Sequence, residues 1–295
     1  MRKIRTSAKT GYLGNYRHDH AYTHVADPLF QSLKSRDKPD TDARSKIIDI
    51  FKKNVYGKIP DTKSSDPKHD GKVGHWLEIQ MGKNPDASNT PDFFGYEMKT
   101  QTSGVLTLGS WDPNYWIFNN PEKKINREGF LQAFGKPNPN KKNRMSWSGS
   151  PVPKIDGIND YGMRITIGED AIRFFYSYSD DRRDNKENVV PEHLRLKDLE
   201  ICRWNFSGNK SLREKVENKY NQQGWFICLR GQDGRYSSLG FGNPFNFDTF
   251  LKLFRDGLVY FDSGMYKGNP RNYCQWRASN TFWDTLITDR ITNFD

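Results

Sequence analysis

At 295 residues the chain is long enough to bury one large core or two modest ones. Hydrophobic residues make up 34% and aromatics 14%, which excludes a disordered tail and suits a polar folded protein with aromatic anchors. A net charge of +10 and a pI near 9.3 point to a polyanionic partner, nucleic acid before membrane surface, although no Lys/Arg block concentrates the charge.

Residues 1–40 read as a polar N-terminal arm. Its start, MRKIRTSAKTGYLG, has no apolar stretch of the signal-peptide kind, and nowhere does the chain approach about 18 apolar residues, so no membrane span is expected. His18, His20 and His24 leave two readings open, a metal-binding tract or a flexible arm. From 42 to 57, Ile47, Ile48, Ile50, Phe51 and Val55 fall near helical spacing, with Gly57 as a stop. VGHWLEIQMG, 73–82, predicts a second helix with Trp76, Leu77 and Met81 inward and Gly82 at its end. A turn and strand follow in TPDFFGYEMKTQT, and SGVLTLGSW (103–111) is a second strand by its alternation. The Pro/Asn/Gly/Lys-rich stretch 119–157 marks a long excursion or subdomain junction.

Beyond it, YGMRITIG and IRFFYSYS read as strands joined by a turn, and a charged loop occupies 180–188. Residues 211–223 predict a helix, GWFICLRG and RYSSLGFG a hairpin-like pair, and FDTFLKLFRDG a helix with its stop. The last stretch reads as a strand, a polar loop DSGMYKGNPRNYCQWRAS and an apolar segment. Cys202, Cys228 and Cys274 are far apart, odd in number and free of any C-x-x-C spacing, which favours a reducing cytoplasm over a disulfide framework or cysteine zinc site. The expected class is mixed α/β, a central mixed sheet flanked by helices with a second lobe.

Chemistry concentrates between Thr90 and Thr102. Pro91, Gly95 and the aromatics favour a turn entering a strand, and on a strand Glu97 and Lys99 share one face while Met98 points to the other. Phosphodiester hydrolysis calls for a hard divalent cation such as Mg²⁺, which takes oxygen ligands. Asp92 and Glu97 supply carboxylates and the Met98 backbone carbonyl a third oxygen. The ion polarises phosphate and acidifies a bound water, and Lys99 is placed to position that water and stabilise charge on phosphorus. The plain alternative is a surface Glu–Lys pair.

The flanks extend the pattern: Glu78 lies on a predicted helix fourteen residues before Asp92. Gly71, Lys72, Gly74, Leu77, Glu78, Pro91-Asp92-Phe93, Glu97-Met98-Lys99-Thr100 and Ser103 through Leu108 resemble the type II restriction endonucleases of the PD-(D/E)xK superfamily. The branch they resemble is that of MvaI and BcnI, related to the mismatch-repair nickase MutH. The resemblance covers roughly residues 70–112. It implies a restriction-endonuclease-like fold, double-stranded DNA as partner, a cognate DNA methyltransferase as genetic partner, and a monomer that cuts the strands in turn. It also makes Glu78 a fourth catalytic candidate, against a solvated helix residue, and assigns the neighbouring Lys72, Thr100, Gln101 and Ser103 to DNA contact. On this reading residues 41–118 form the catalytic nuclease core, and 119–295 hold the rest of the core with a DNA-recognition lobe.

In the C-terminal polar loop, Lys267, Asn269, Arg271, Asn272, Gln275 and Arg277 interleave with Tyr273 and Trp276. These are the residue types that read guanine and adenine edges and hold phosphate; the other reading is an ordinary polar loop. No GxxxxGK[ST] phosphate loop occurs, so ATP use is not expected. A MutH-like strand-nicking nuclease and a non-catalytic basic nucleic-acid-binding protein are the competing functions. Linear against merely nicked plasmid separates the first, and binding without cleavage the second.

Overall fold

The computed structural model describes residues 41–62, 71–84, 88–101 and 104–294. The N-terminal arm with His18, His20 and His24, and also Ser103, lie outside the described residues. In chain order come α1 (Thr41–Asn54), α2 (Lys72–Met81), β1 (Tyr96–Thr100), β2 (Val105–Ser110), β3 (Tyr115–Trp116) and α3 (Arg127–Phe134). Next are β4 (Lys136–Asn138), β5 (Arg144–Trp147), β6 (Tyr161–Ile167), β7 (Ala171–Asp181), α4 (Lys186–Val189) and β8 (Leu199–Asn205). Then follow α5 (Leu212–Tyr220), β9 (Gly224–Arg230), β10 (Tyr236–Gly242), α6 (Phe247–Arg255) and β11 (Val259–Ser263). The walk ends with β12 (Met265–Tyr266), β13 (Cys274–Ser279), α7 (Asn280–Thr285) and β14 (Ile287–Ile291).

The fold is mixed α/β, as expected. Its principal sheet has the order β1-β9-β10-β14, with β1 parallel to β9 and the other pairs antiparallel. Strand β9 reads GWFICLR, apolar almost throughout, because it is buried on both faces. On one face Phe226, Cys228, Tyr96 and Met98 meet α1 and α2, whose Ala43, Ile47, Phe51 and Val55 recur every fourth residue and form a single buried stripe. On the other face Trp225, Ile227 and Leu229 join the larger core. That core also holds Trp204, Phe174, Ile172 and Trp276, so strands β7, β8 and β13 share it with the principal sheet.

Three further sheets complete the molecule: β11-β13-β2, β12-β5-β4 and β3-β8-β7-β6. Two expectations need correcting. The polar C-terminal stretch is not all loop, because Met265–Tyr266 and Cys274–Ser279 are strands, and Gln275 and Arg277 therefore sit on β13. Cys274, Trp276 and Ala278 alternate inward, which is what fixes this strand between β11 and β2. The final apolar segment is α7 followed by β14, which closes the principal sheet. Although β1 and β2 are neighbours in sequence, they enter different sheets.

Candidate active site

A tight turn sets up the site. Phe93 and Tyr96 exchange both backbone hydrogen bonds, at 3.0 and 2.7 Å, around Phe94 (φ 49°) and Gly95 (φ 86°). Positive φ at both central positions is the type I′ signature, for which glycine is suited and phenylalanine is not. The turn folds Asp92 back along β1, where its Oδ2 accepts from Met98 N at 2.9 Å. Asp92 Oδ1 accepts from the Lys83 ammonium, which follows the left-handed cap Gly82 of α2.

Glu97 and Lys99 point together to the other face of β1, toward α5. Lys99 Nζ donates to Glu97 Oε1 at 2.8 Å and to the Leu108 carbonyl on β2 at 3.3 Å. Lys219 Nζ, from α5, lies 2.9 Å from the same Glu97 oxygen. Tyr220, one residue on, donates to the Leu108 carbonyl at 2.7 Å and presents its ring 5.5 Å from Lys99 Nζ. Glu97 is 3% exposed, and its Oε2 is buried with no hydrogen-bond partner. Burial holds the Glu97 carboxyl above the ordinary glutamate value, against the pull of Lys99 and Lys219. At Asp92 burial also acts upward, but the Lys83 ammonium, the Met98 N–H and Lys219 outweigh it and hold the carboxyl below its ordinary value.

The donor set fits a hard divalent ion. A buried carboxylate oxygen without a partner, beside a second carboxylate, is an acceptor placed where a cation satisfies it. In an extended strand a residue's N–H and C=O point to the same edge, so the Met98 carbonyl shares the edge where its N–H meets Asp92. Among the described residues no group of three or more His, Cys, Asp or Glu comes together for a metal, so Glu78 is not gathered with Asp92 and Glu97. Glu78 is half-buried on α2 and its backbone carbonyl accepts from Lys83 N at 2.8 Å. Its helix face does turn to β1: a Cβ at Gly74, one turn earlier, would stand 3.8 Å from Thr100 Cγ2.

The other predicted contacts divide. Thr100 Oγ1 shares a 3.1 Å hydrogen bond with Tyr236 OH, and Gln101 Oε1 accepts from Arg230 N at 3.0 Å, so both hold the sheet together. Lys72 opens α2 and is half-buried. Asn269 and Asn272 bond within their own loop and to Arg127, and Gln275 accepts from Arg277, which is 3.2 Å from Asp262 on β11. Lys267 and Arg271 are exposed. Sequence reasoning missed Lys83, Lys219 and the Leu108 carbonyl. Lys83 had a local signal, a lysine just past a glycine helix stop and close before Asp92, whereas Lys219 is one polar position of an amphipathic helix and carried none.

Glu97 and Lys99 on the edge strand β1, with Asp92 folded back onto it from the preceding turn, sit on a helix-flanked mixed sheet of the restriction-endonuclease kind. The profile of the LlaMI restriction endonuclease family matches residues 56–291. The type II restriction enzyme ScrFI of Lactococcus lactis subsp. cremoris is 42% identical over 264 residues, covering 83% of this chain and 97% of ScrFI. The chain belongs to the LlaMI restriction endonuclease family and is a sequence-specific DNA endonuclease. Restriction endonuclease MvaI, solved with its cognate DNA, shares the fold at a TM-score of 0.50 and 15% identity, over 90% of this chain and 98% of that one. Restriction endonucleases generally use divalent metal ions. Among the described residues no helix is long and apolar enough to cross a membrane.

Proposed function

We propose that the protein is a Mg²⁺-dependent type II enzyme that hydrolyses both strands of DNA at a short site, with Asp92, Glu97 and Lys99 as its catalytic group. The observation that carries this reading is Glu97, buried with one oxygen unpartnered and the other held by Lys99 and Lys219. Asp92, Glu97 and the Met98 carbonyl would hold the ion, which supplies Lewis acidity toward phosphate and a more acidic bound water. Lys99 keeps an ammonium at the strand face where charge develops on the phosphorus oxygens, and the Leu108 carbonyl orients it. Glu78 supports the site from α2. Residues 41–118 supply the catalytic strand and 119–295 the rest of the core and the recognition lobe; Lys72, Thr100 and Gln101 contact DNA, as does Ser103, which lies outside the described residues. Lys267, Asn269, Arg271, Asn272, Gln275 and Arg277 belong to the recognition side, with Arg271 and Arg277 toward bases and Lys267 toward phosphate. The enzyme acts as a cytoplasmic monomer without ATP, beside a cognate methyltransferase.

Supercoiled plasmid incubated with Mg²⁺ tests this directly. Nicked circles should precede linear DNA under limiting enzyme, and chelation should stop both. Asp92→Ala and Lys99→Ala should abolish cleavage while binding in Ca²⁺ persists. Accumulation of nicked circles alone supports the strand-nicking alternative, and tight binding without cleavage at any divalent ion supports a binding protein.

A further inference from the structure

Arg144, Tyr266, Tyr273 and Arg271 form one continuous stack. The Arg144 guanidinium carbon lies 3.5 Å from the centroid of the Tyr266 ring. Tyr266 stacks on Tyr273 at 6.1 Å and 17°, and Arg271 covers Tyr273 at 4.9 Å. Two segments distant in sequence build it: β5 begins at Arg144, and β12 pairs with β5 through Tyr266 and Ser146. The Asn269 amide donates to both tyrosine hydroxyls, at 2.8 and 3.1 Å, and its oxygen accepts from Arg271 N at 2.9 Å. Arg127 of α3 then ties down the carbonyls of Tyr266 and Arg271 at 3.3 and 2.9 Å.

The two segments that build this stack carry charge of one sign. Neither 136–147 nor 263–279 contains an aspartate or glutamate, and the exposed Lys141, Lys142 and Lys267 flank the stack. Among the described residues neither Arg144 nor Arg271 meets a carboxylate, whereas Arg277 is paired with Asp262. A guanidinium whose face lies on a tyrosine keeps its N–H edge free in a fixed plane, which is the requirement for bidentate contact with guanine O6 and N7. Hydrogen bonds link the stack's loop to the segment that carries Asp92. Its loop runs into Cys274, whose carbonyl accepts from Trp111 N at 2.8 Å, and Trp111 Nε1 donates to Asn89, three residues before Asp92, at 2.6 Å.

We propose that Arg144 is a specificity-determining residue that reads a guanine together with Arg271, and that Tyr266 and Tyr273 are positioning residues that fix the planes of both guanidinium groups. This deepens the recognition reading given above and rests on it. It adds Arg144, on the β4–β5 hairpin, to the arginines proposed above to face bases.

The test is selection of bound duplexes from a pool with a randomised core, using full-length Lys99→Ala protein in Ca²⁺. Adding Arg144→Lys should leave the rest of the consensus intact and relax one G·C position, with discrimination there falling roughly ten- to hundred-fold. Binding to a non-cognate duplex should stay nearly constant. Tyr266→Leu keeps both arginines yet should relax the same position, and Tyr266→Phe, which restores the ring, should rescue it; thermal unfolding checks that each variant is folded. An undiminished consensus in Arg144→Lys, or equal loss of affinity for every duplex, overturns the proposal while leaving the endonuclease reading intact. Failure of the Lys99→Ala parent to select any consensus removes both.

Discussion

Glu97 shares one oxygen between two ammonium groups, and the two lysines are not equivalent. Lys99 lies on β1 and is anchored by the Leu108 carbonyl, while Lys219 reaches in from α5. Lys219→Met should cost about 1–3 kcal/mol of stability, since it removes one charge-assisted contact from a buried carboxylate. Urea titration measures this, and cleavage should survive better than in Lys99→Met; equal activity loss in the two would make Lys219 a full catalytic partner. The two carboxylates respond to pH with opposite signs. Asp92, held low, contributes stability above the ordinary aspartate value that is lost as pH falls through its folded pKa. Glu97, held high, contributes stability below the ordinary glutamate value that is lost as pH rises through its folded pKa. If Glu97 holds the ion as proposed, the metal competes there with a proton, and the rise in melting temperature on adding Mg²⁺ should grow with pH through the Glu97 range. A metal-induced shift independent of pH would remove Glu97 from the ligand set.

Among the elements, the Phe93–Tyr96 turn makes the sharpest prediction. Phe94 is half exposed in a left-handed conformation that costs a bulky residue about 1 kcal/mol. Phe94→Asn creates the preferred Asn-Gly turn and should raise stability by about 0.5–1 kcal/mol in chemical denaturation. A fall in stability would mean that the ring makes a contact worth more than the strain. The turn and the E-x-K strand were legible in the sequence because glycine, proline and strict alternation act locally. Strand β13 was hidden: its inward Cys274, Trp276 and Ala278 alternate correctly, but the outward Gln275 and Arg277 and the preceding NPRN give the stretch a loop's composition. Which sheet a strand joins was not legible at all. β2 leaves β1 for β13 because its Leu106 and Leu108 are needed in the larger core, a choice made by residues far along the chain.

At the scale of the molecule, the two core clusters lie on opposite faces of one sheet, and Trp225 and Phe226, adjacent on β9, belong one to each. Far-UV and near-UV signals should therefore lose structure in a single transition. Two separable steps would mean that the recognition side folds apart from the catalytic sheet. At the end of β7, Asp181 has a fully buried side chain; it accepts from Arg183 and from Tyr176 OH at 2.8 Å, and Arg183 also donates to the Ala133 carbonyl at 2.9 Å. Burial acts to raise the Asp181 carboxyl, but these donors outweigh it and hold it low, so its stabilisation is present above about pH 4 and lost as pH falls through the folded value. Asp181→Asn should cost about 3 kcal/mol at neutral pH and flatten the acid limb of the stability curve. An unchanged acid limb would show that other carboxylates govern it.

The parallel pairing of β1 with β9 also bears on how the protein is made. Tyr96 finds its register only against Gly224, and the second lysine on Glu97 comes from Lys219. The residues proposed as catalytic precede in the chain both the strand that pairs with β1 and the helix that brings Lys219, so those partners are made later. On this topology the hazard of a DNA-cleaving activity is deferred until the strand and helix that complete the proposed site have been made.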